Sequence, residues 1–207
     1  SVTLQAGGDI TIGALAQIGA GTTLNLVAAF GDVDAHGAAT INGIVEATND
    51  VLISARDNVS LGANVESQNT NVTITSTNAD IIRTAGTVSA LNGTIALTAG
   101  GADGDISSVF VDAVTLSFSG AGTGDVTIRD VGAAATNTNI SGSTGSGQII
   151  VRAIDGDLTI SGAISTTNYV ELQVDNGDLL RSGAGSIVTA NSALFKVNDL
   201  GLGDGNI

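Results

Sequence analysis

An apolar pair flanking one residue of any kind, first met at Val2 and Leu4, returns along the whole chain. The later copies are Leu24/Leu26, Val51/Ile53, Val72/Ile74, Ile95/Leu97, Val114/Leu116, Ile149/Val151 and Val170/Leu172, with a weaker one at Ala193/Phe195. Most intervals lie near 22 residues, and the 35 from Val114 to Ile149 reads as one repeat carrying an insertion. A fixed period of this length means units that cannot bury their apolar face alone and must stack on one another.

Each unit holds more than the pair. Two residues further on stands a side chain on the same face, such as Ala6, Ala28, Ala55, Ala99, Phe118 or Ala153. A second strand follows at Ile10/Ile12, Val33, Val59/Leu61, Ile81, Ile106, Val126/Ile128, Leu158/Ile160 and Leu179. A third apolar mark closes the unit at Ile18, Ile44, Val65, Val88, Val109 or Val111, Ile140, Ile164 and Val188. The pattern predicts an all-β, right-handed parallel β-helix (a β-solenoid) with about 8–9 coils and three short strands per coil. At one strand spacing of about 4.8 Å per coil, the rod would be roughly 40 Å long.

Composition agrees. Hydrophobic residues make 43% of the 207, yet aromatics only 2%, so the interior has to be a thin column of Val, Ile, Leu and Ala. There are 29 glycines and no proline, so the turns belong to Gly, Asn and Asp. A formal charge of −14 repels nucleic acid and anionic lipid, and no apolar run is long enough for a membrane-spanning helix. Cysteine is absent, which excludes disulfides, thiolate chemistry and cysteine metal sites. With no methionine and no leader segment, the chain reads as a piece of something longer, a single solenoid segment over 1–207.

Gly-Asp precedes a short apolar strand repeatedly: GGDITI at 7–12, FGDVDA at 30–35, DGDISS at 103–108, TGDVTI at 123–128, DGDLTI at 155–160 and NGDLLR at 176–181. As a corner, Gly supplies a positive φ and Asp accepts main-chain N–H groups of the next turn. Asp57-Asn58 and Ala79-Asp80 are degraded copies, which a turn tolerates better than a ligand site does. Asn49, Asn69, Asn92, Asn168 and Asn191 hold the equivalent place before the first strand and could stack as an amide ladder. Residues 119–147, rich in Gly, Ser, Thr and Asn, read as a loop-rich insertion projecting from the rod, where binding function is often carried.

The cadences SVTLQAGGDITI, DVLISARDNVSLGANV, GTIALTAGGADGDI, GQIIVRAIDGDLTISGAI and YVELQVDNGDLLRSGAGSIV resemble the repeat shaft of filamentous-haemagglutinin-type exoproteins and related large bacterial adhesins. The resemblance covers essentially the whole chain. It implies a secreted, extracellular or bacterial cell-surface protein whose β-helix serves as an extended stalk or adhesive fibre. Its partners would be neighbouring solenoid repeats, copies of itself end to end, or surface glycans and proteins. No binding residue carries over, because the shared motif is scaffold.

Calcium is the one cofactor the carboxylates suggest. Oxygen ligands suit it, and the candidates are Asp103 and Asp105 in GGADGDI and Asp155 and Asp157 in DGD, with Asp32 and Asp34 a further pair. Loose counterion binding is the reading preferred over a dedicated site. Catalysis finds little support. Asp157 and Asp178 in adjacent coils could approach as a carboxylate pair. A sugar cleft, however, also needs aromatic platforms and basic groups. Tyr169 is the only tyrosine, and five arginines and one lysine are scattered along the sequence. His36 stands alone as a polar residue at a coil turn, so no nucleophile triad is supported. Leu52, Ile150 and Leu194 read as exposed apolar residues on one lateral face. The function expected is a non-catalytic stalk or fibre segment of an adhesin. The alternatives are a self-assembling extracellular filament or matrix subunit and, more distantly, a polysaccharide-acting β-helix enzyme.

Overall fold

The computed structural model describes residues 1–31, 36–132, 137–183 and 188–198. Among them no helix occurs, and a 21-stranded sheet winds through about eight parallel turns to form a β-solenoid. Two-residue alternation decides what points inward. In Val72–Ser76, Val72, Ile74 and Ser76 are buried while Thr73 and Thr75 are half-exposed.

Three unbroken columns run along the rod. The first stacks Val2, Leu24, Val51, Val72, Ile95, Leu116, Ile140 and Ile160. The second stacks Ile10, Ala39, Val59, Ile81, Ile106, Val126, Ile149, Val170 and Ala193. The third stacks Ile18, Val45, Val65, Val88, Val111, then Asp130, then Ala153, Val174 and Val197. Each fully buried aliphatic side chain stabilises by roughly 1.5–3 kcal/mol, so a core without large rings is built by repetition.

The register departs from the sequence expectation at several turns: Val33 lies outside the described residues, the second-face strand of that turn is Ala39–Ile41, and the larger departures come in the second half. Val114 is 39% exposed, and the pair that enters the first column is Leu116 and Phe118. Both choices satisfy alternation; stacking of Thr115 on Thr94 selects the later one. Ile149/Val151 and Val170/Leu172 do not return to the first column. They stack in succession on Val126/Ile128, with Ile149 and Val170 in the second column, so the long interval is not one expanded coil. Ile44, expected as a closing mark, is 43% exposed, and its neighbour Val45 enters the core.

The stretch 119–147 is woven into the stack rather than projecting. Val126–Asp130 lies on the preceding turn and Thr138–Ser143 on the first face, with Val126, Ile128, Thr138, Ile140 and Thr144 buried. Its small residues have a packing reason. A Cβ on Gly142 would lie 2.4 Å from the Phe118 ring, which occupies the volume a side chain would need. From this turn on, the second and third faces merge into single strands such as Ile149–Ala153 and Tyr169–Val174. The strict three-strand coil therefore belongs to the first half.

The described sheet is parallel except for a two-residue antiparallel clip between Asp103–Gly104 and Ala121–Gly122. No helix among the described residues is long and apolar enough to cross a membrane.

Candidate functional site

Polar chemistry on this rod gathers at its corners and along one outward row. At the corners, the residue just before a strand carries a side-chain oxygen that receives the N–H of its equivalent one turn later. Before the second face the chain of bonds is Asp80 N–H to Asn58 Oδ1 at 3.1 Å, Asp105 N–H to Asp80 Oδ1 at 2.9 Å and Asp125 N–H to Asp105 Oδ1 at 2.6 Å. Gln148 N–H then donates to Asp125 Oδ1 at 2.7 Å. Before the first face, Asn71 N–H reaches Asp50 Oδ1 and Thr94 N–H reaches Asn71 Oδ1. In the later turns Asp157 N–H bonds Asn137 Oδ1, and Asp178 N–H bonds Asp157 Oδ1 at 2.9 Å. The oxygen at each position thus closes the backbone of the next winding.

The calcium candidates among the described residues are engaged in this work or beside it. Asp105 and Asp157 are clamp residues, Asp103 Oδ1 accepts from Thr123 Oγ1 at 2.5 Å, and Asp155 Oδ1 accepts from Asn176 Nδ2 at 3.0 Å. Asp32 and Asp34 lie outside the described residues. Among the described residues no three or more His, Cys, Asp or Glu side chains converge as a metal site. Asp157 and Asp178 meet through the Asp178 main-chain N–H on Asp157 Oδ1. Burial, with the neighbouring charges of Asp80, Asp103 and Asp125, pushes the Asp105 carboxyl above its usual range; the bond from Asp125 N–H opposes this.

The glycines of the Gly-Asp pairs serve two different needs. Gly156 has φ 78°, the left-handed conformation expected of the corner. At Gly104 the need is space: a Cβ there would stand 2.2 Å from the carbonyl oxygen of Gly100. The asparagine ladder is also placed differently. The clamp runs through positions 50, 71 and 94, whereas Asn92 and Asn168 donate their amides to the main-chain oxygens of Gln68 and Ser146.

His36 is exposed, its Nδ1 3.3 Å from Asp57 Oδ2. Leu52 sits on the first face, whereas Ile150 and Leu194 share the second, so they form no common lateral patch.

Asp130 is the exception inside the core. It is 1% exposed and stands in the third column between Val111 and Ala153. Its Oδ1 accepts from Gly132 N–H at 3.0 Å, and its Oδ2 lies 2.5 Å from Thr138 Oγ1. That hydroxyl is also 2.8 Å from the oxygen of Ala113, yet it has a single proton for two acceptors. A protonated Asp130 resolves the conflict, donating to Thr138 Oγ1 while Thr138 donates to Ala113. Burial, with a smaller contribution from the Asp112 charge, pushes the Asp130 carboxyl up, in agreement with that arrangement; the bonds from Thr138 and Gly132 oppose the shift.

Hydrophobic patterning alone does not single out the outward row. Phe110 pairs in register with Arg129, Arg129 with Arg152, Arg152 with Gln173 and Gln173 with Lys196. Arg83, one turn before Phe110, lays its guanidinium 3.5 Å from the centre of the Phe110 ring. Three of the six basic residues, Arg129, Arg152 and Lys196, thus stand in one register line on a strongly acidic rod, and Arg83 reaches that line through the Phe110 ring. The sequence signal was there: from Phe110 onward, the row repeats at the winding period. Arg152 is paired with Asp175 and Lys196 with Glu171.

Comparison of the chain with family models, with curated proteins and with solved structures gives no match.

Proposed function

We propose that this chain is a non-catalytic stalk segment of a secreted or cell-surface bacterial adhesin, a stiff spacer that holds a binding element away from the cell. The observation that supports this most is the continuity of the three stacked columns, reinforced at the corners by side chains that clasp the following turn. Such a rod resists bending, because deformation must open parallel main-chain bonds and corner clamps together. Its function is geometric and requires no ligand pocket.

Negative-stain imaging of the intact polypeptide tests the proposal. Isolated thin rods of uniform width are the expected result. Long homopolymers would transfer the reading to a self-assembling extracellular filament. Release of reducing ends from neutral or acidic glycans would replace both with an enzyme.

A further inference from the structure

We propose that Arg83, Phe110 and Arg129 form a binding site for an oxyanion, a carboxylate, sulfate or phosphate group presented by a ligand outside the rod. The inference is independent of whether the rod serves as stalk or filament.

The first support is an imbalance of charge. The chain carries 20 acidic residues against 6 basic ones, so a basic side chain here has no shortage of partners. Further along the row, Arg152 and Lys196 have taken theirs. Among the described residues neither Arg83 nor Arg129 has a carboxylate within ion-pair distance. Asp112, on the same side of the strand as Phe110, pairs with neither. The two guanidiniums are close enough that Arg129, after burial, lowers the proton affinity of Arg83. Like charges held together without a counter-charge create a local field that an anion relieves.

The second support is pre-organisation. Arg83 is stacked on Phe110, and its Nε is tied to the Gly86 oxygen at 2.6 Å, which fixes the plane of the group and leaves its outer nitrogens free. Arg129 approaches the same ring at 5.3 Å from the following turn. Its Nε is buried without an acceptor, so its charge must be answered through the remaining nitrogens. A planar guanidinium held by an aromatic ring loses little freedom on gripping two oxygens of one group.

The third support is the backbone that aims the ring. Ser108 has φ 54°, rare for a residue with a side chain, and the register slips between Ile106 and Val109. This bulge leaves Val109 and Val111 buried and places Phe110 outward between the two arginines. Strain of this kind persists where the surroundings enforce it, and here its product is the position of Phe110.

The test is nitrogen–proton NMR of the arginine Nε–H groups of the whole chain. It is titrated with acetate, sulfate or phosphate, against chloride at matched ionic strength. Saturable shifts at Arg83 and Arg129 with at least one oxyanion, and not at Arg56, are expected. The arm that saturates at the lowest concentration identifies the group. Arg83→Gln and Arg129→Gln should each weaken the response about tenfold. Arg129→Lys, which keeps the charge without the fork, should also weaken it, while Arg56→Gln leaves it unchanged. Thermal melting of each variant confirms that the rod is intact. Shifts that are equal at all five arginines, or reproduced by chloride, would overturn the proposal.

Discussion

Asp105 Oδ1 accepts the main-chain N–H of Asp125 from the next turn at 2.6 Å, and Asp125 repeats the act on Gln148. The relationship explains why Gly-Asp recurs: the glycine admits the corner and the carboxylate closes the following one. Asp105→Ala should lower unfolding free energy by about 1–2 kcal/mol through loss of the acceptor. Asp105→Asn should cost less than Ala, since it keeps Oδ1 and removes repulsion from Asp80, Asp103 and Asp125. Chemical denaturation of the three proteins checks the order.

The same engagement bears on calcium. Asp103, Asp105, Asp155 and Asp157 already accept hydrogen bonds within the rod, and no three-ligand cluster converges among the described residues. Calcium should therefore raise the melting temperature gradually, and magnesium should do the same at equal ionic strength, as screening of a −14 chain requires. A sharp, saturable rise with calcium alone would restore a dedicated site.

Much of the architecture was legible in the sequence because a strand alternates with period two and each coil restarts at a Gly, Asn or Asp corner. That logic holds from Val2 to Leu97, where every column member of the first face was read in register. It fails where the corner signals vanish. Ile106–Ser119 runs through two corners as one strand, so Val114/Leu116 and Leu116/Phe118 both fit the alternation. The ambiguity carries down the chain: it puts Ile149 and Val170 on the wrong face and makes 119–147 read as an insertion. Asp130 was missed because a carboxylate breaks the apolar pattern that identifies inward positions. The basic row was missed because outward positions carry no hydrophobic signal, and only the winding register brings Phe110, Arg129 and Arg152 together.

Gly142 and Phe118 make a steric pair that confirms the revised register. Gly142→Ala places a methyl group against the ring and should destabilise by about 1–3 kcal/mol. Phe118→Leu clears the ring's share of the clash, though not that of the Phe118 main-chain oxygen 2.5 Å from the same Cβ, so the double variant should recover part of the loss, its cost falling short of the sum of the two single ones. If the effects are additive, the ring does not lie beneath residue 142.

Asp175, paired with Arg152, contributes to stability against acid. Burial pushes the Asp175 carboxyl up, but the bonds from Arg152, Gln173 and Asn198 outweigh it and hold the group below its usual range. A carboxyl with a lowered folded value contributes stability above its unfolded value of about 3.9, and that contribution is lost as pH falls through the folded value. Asp175→Asn should lower the melting temperature at neutral pH and lose less on acidification below pH ~4 than the parent chain does. Parallel melting curves from neutral to strongly acid buffer make the comparison.

Asp130 acts with the opposite sign. Its folded value is raised, so its contribution is complete below the unfolded carboxylate value and is lost as pH rises through the folded one. Asp130→Asn imitates the protonated acid, since the amide can donate to Thr138 Oγ1 while its oxygen keeps the bond from Gly132. The variant should match the parent near pH ~3.5, where an ordinary aspartate is largely protonated, and exceed it increasingly as pH rises. Thr138→Val removes the hydroxyl that links Asp130 to Ala113, and should destabilise at every pH through loss of both bonds. Melting temperatures measured at intervals from acid to neutral pH decide the matter. If Asp130→Asn runs parallel to the parent across that range, the buried carboxyl titrates at its ordinary value and the single-proton argument at Thr138 fails.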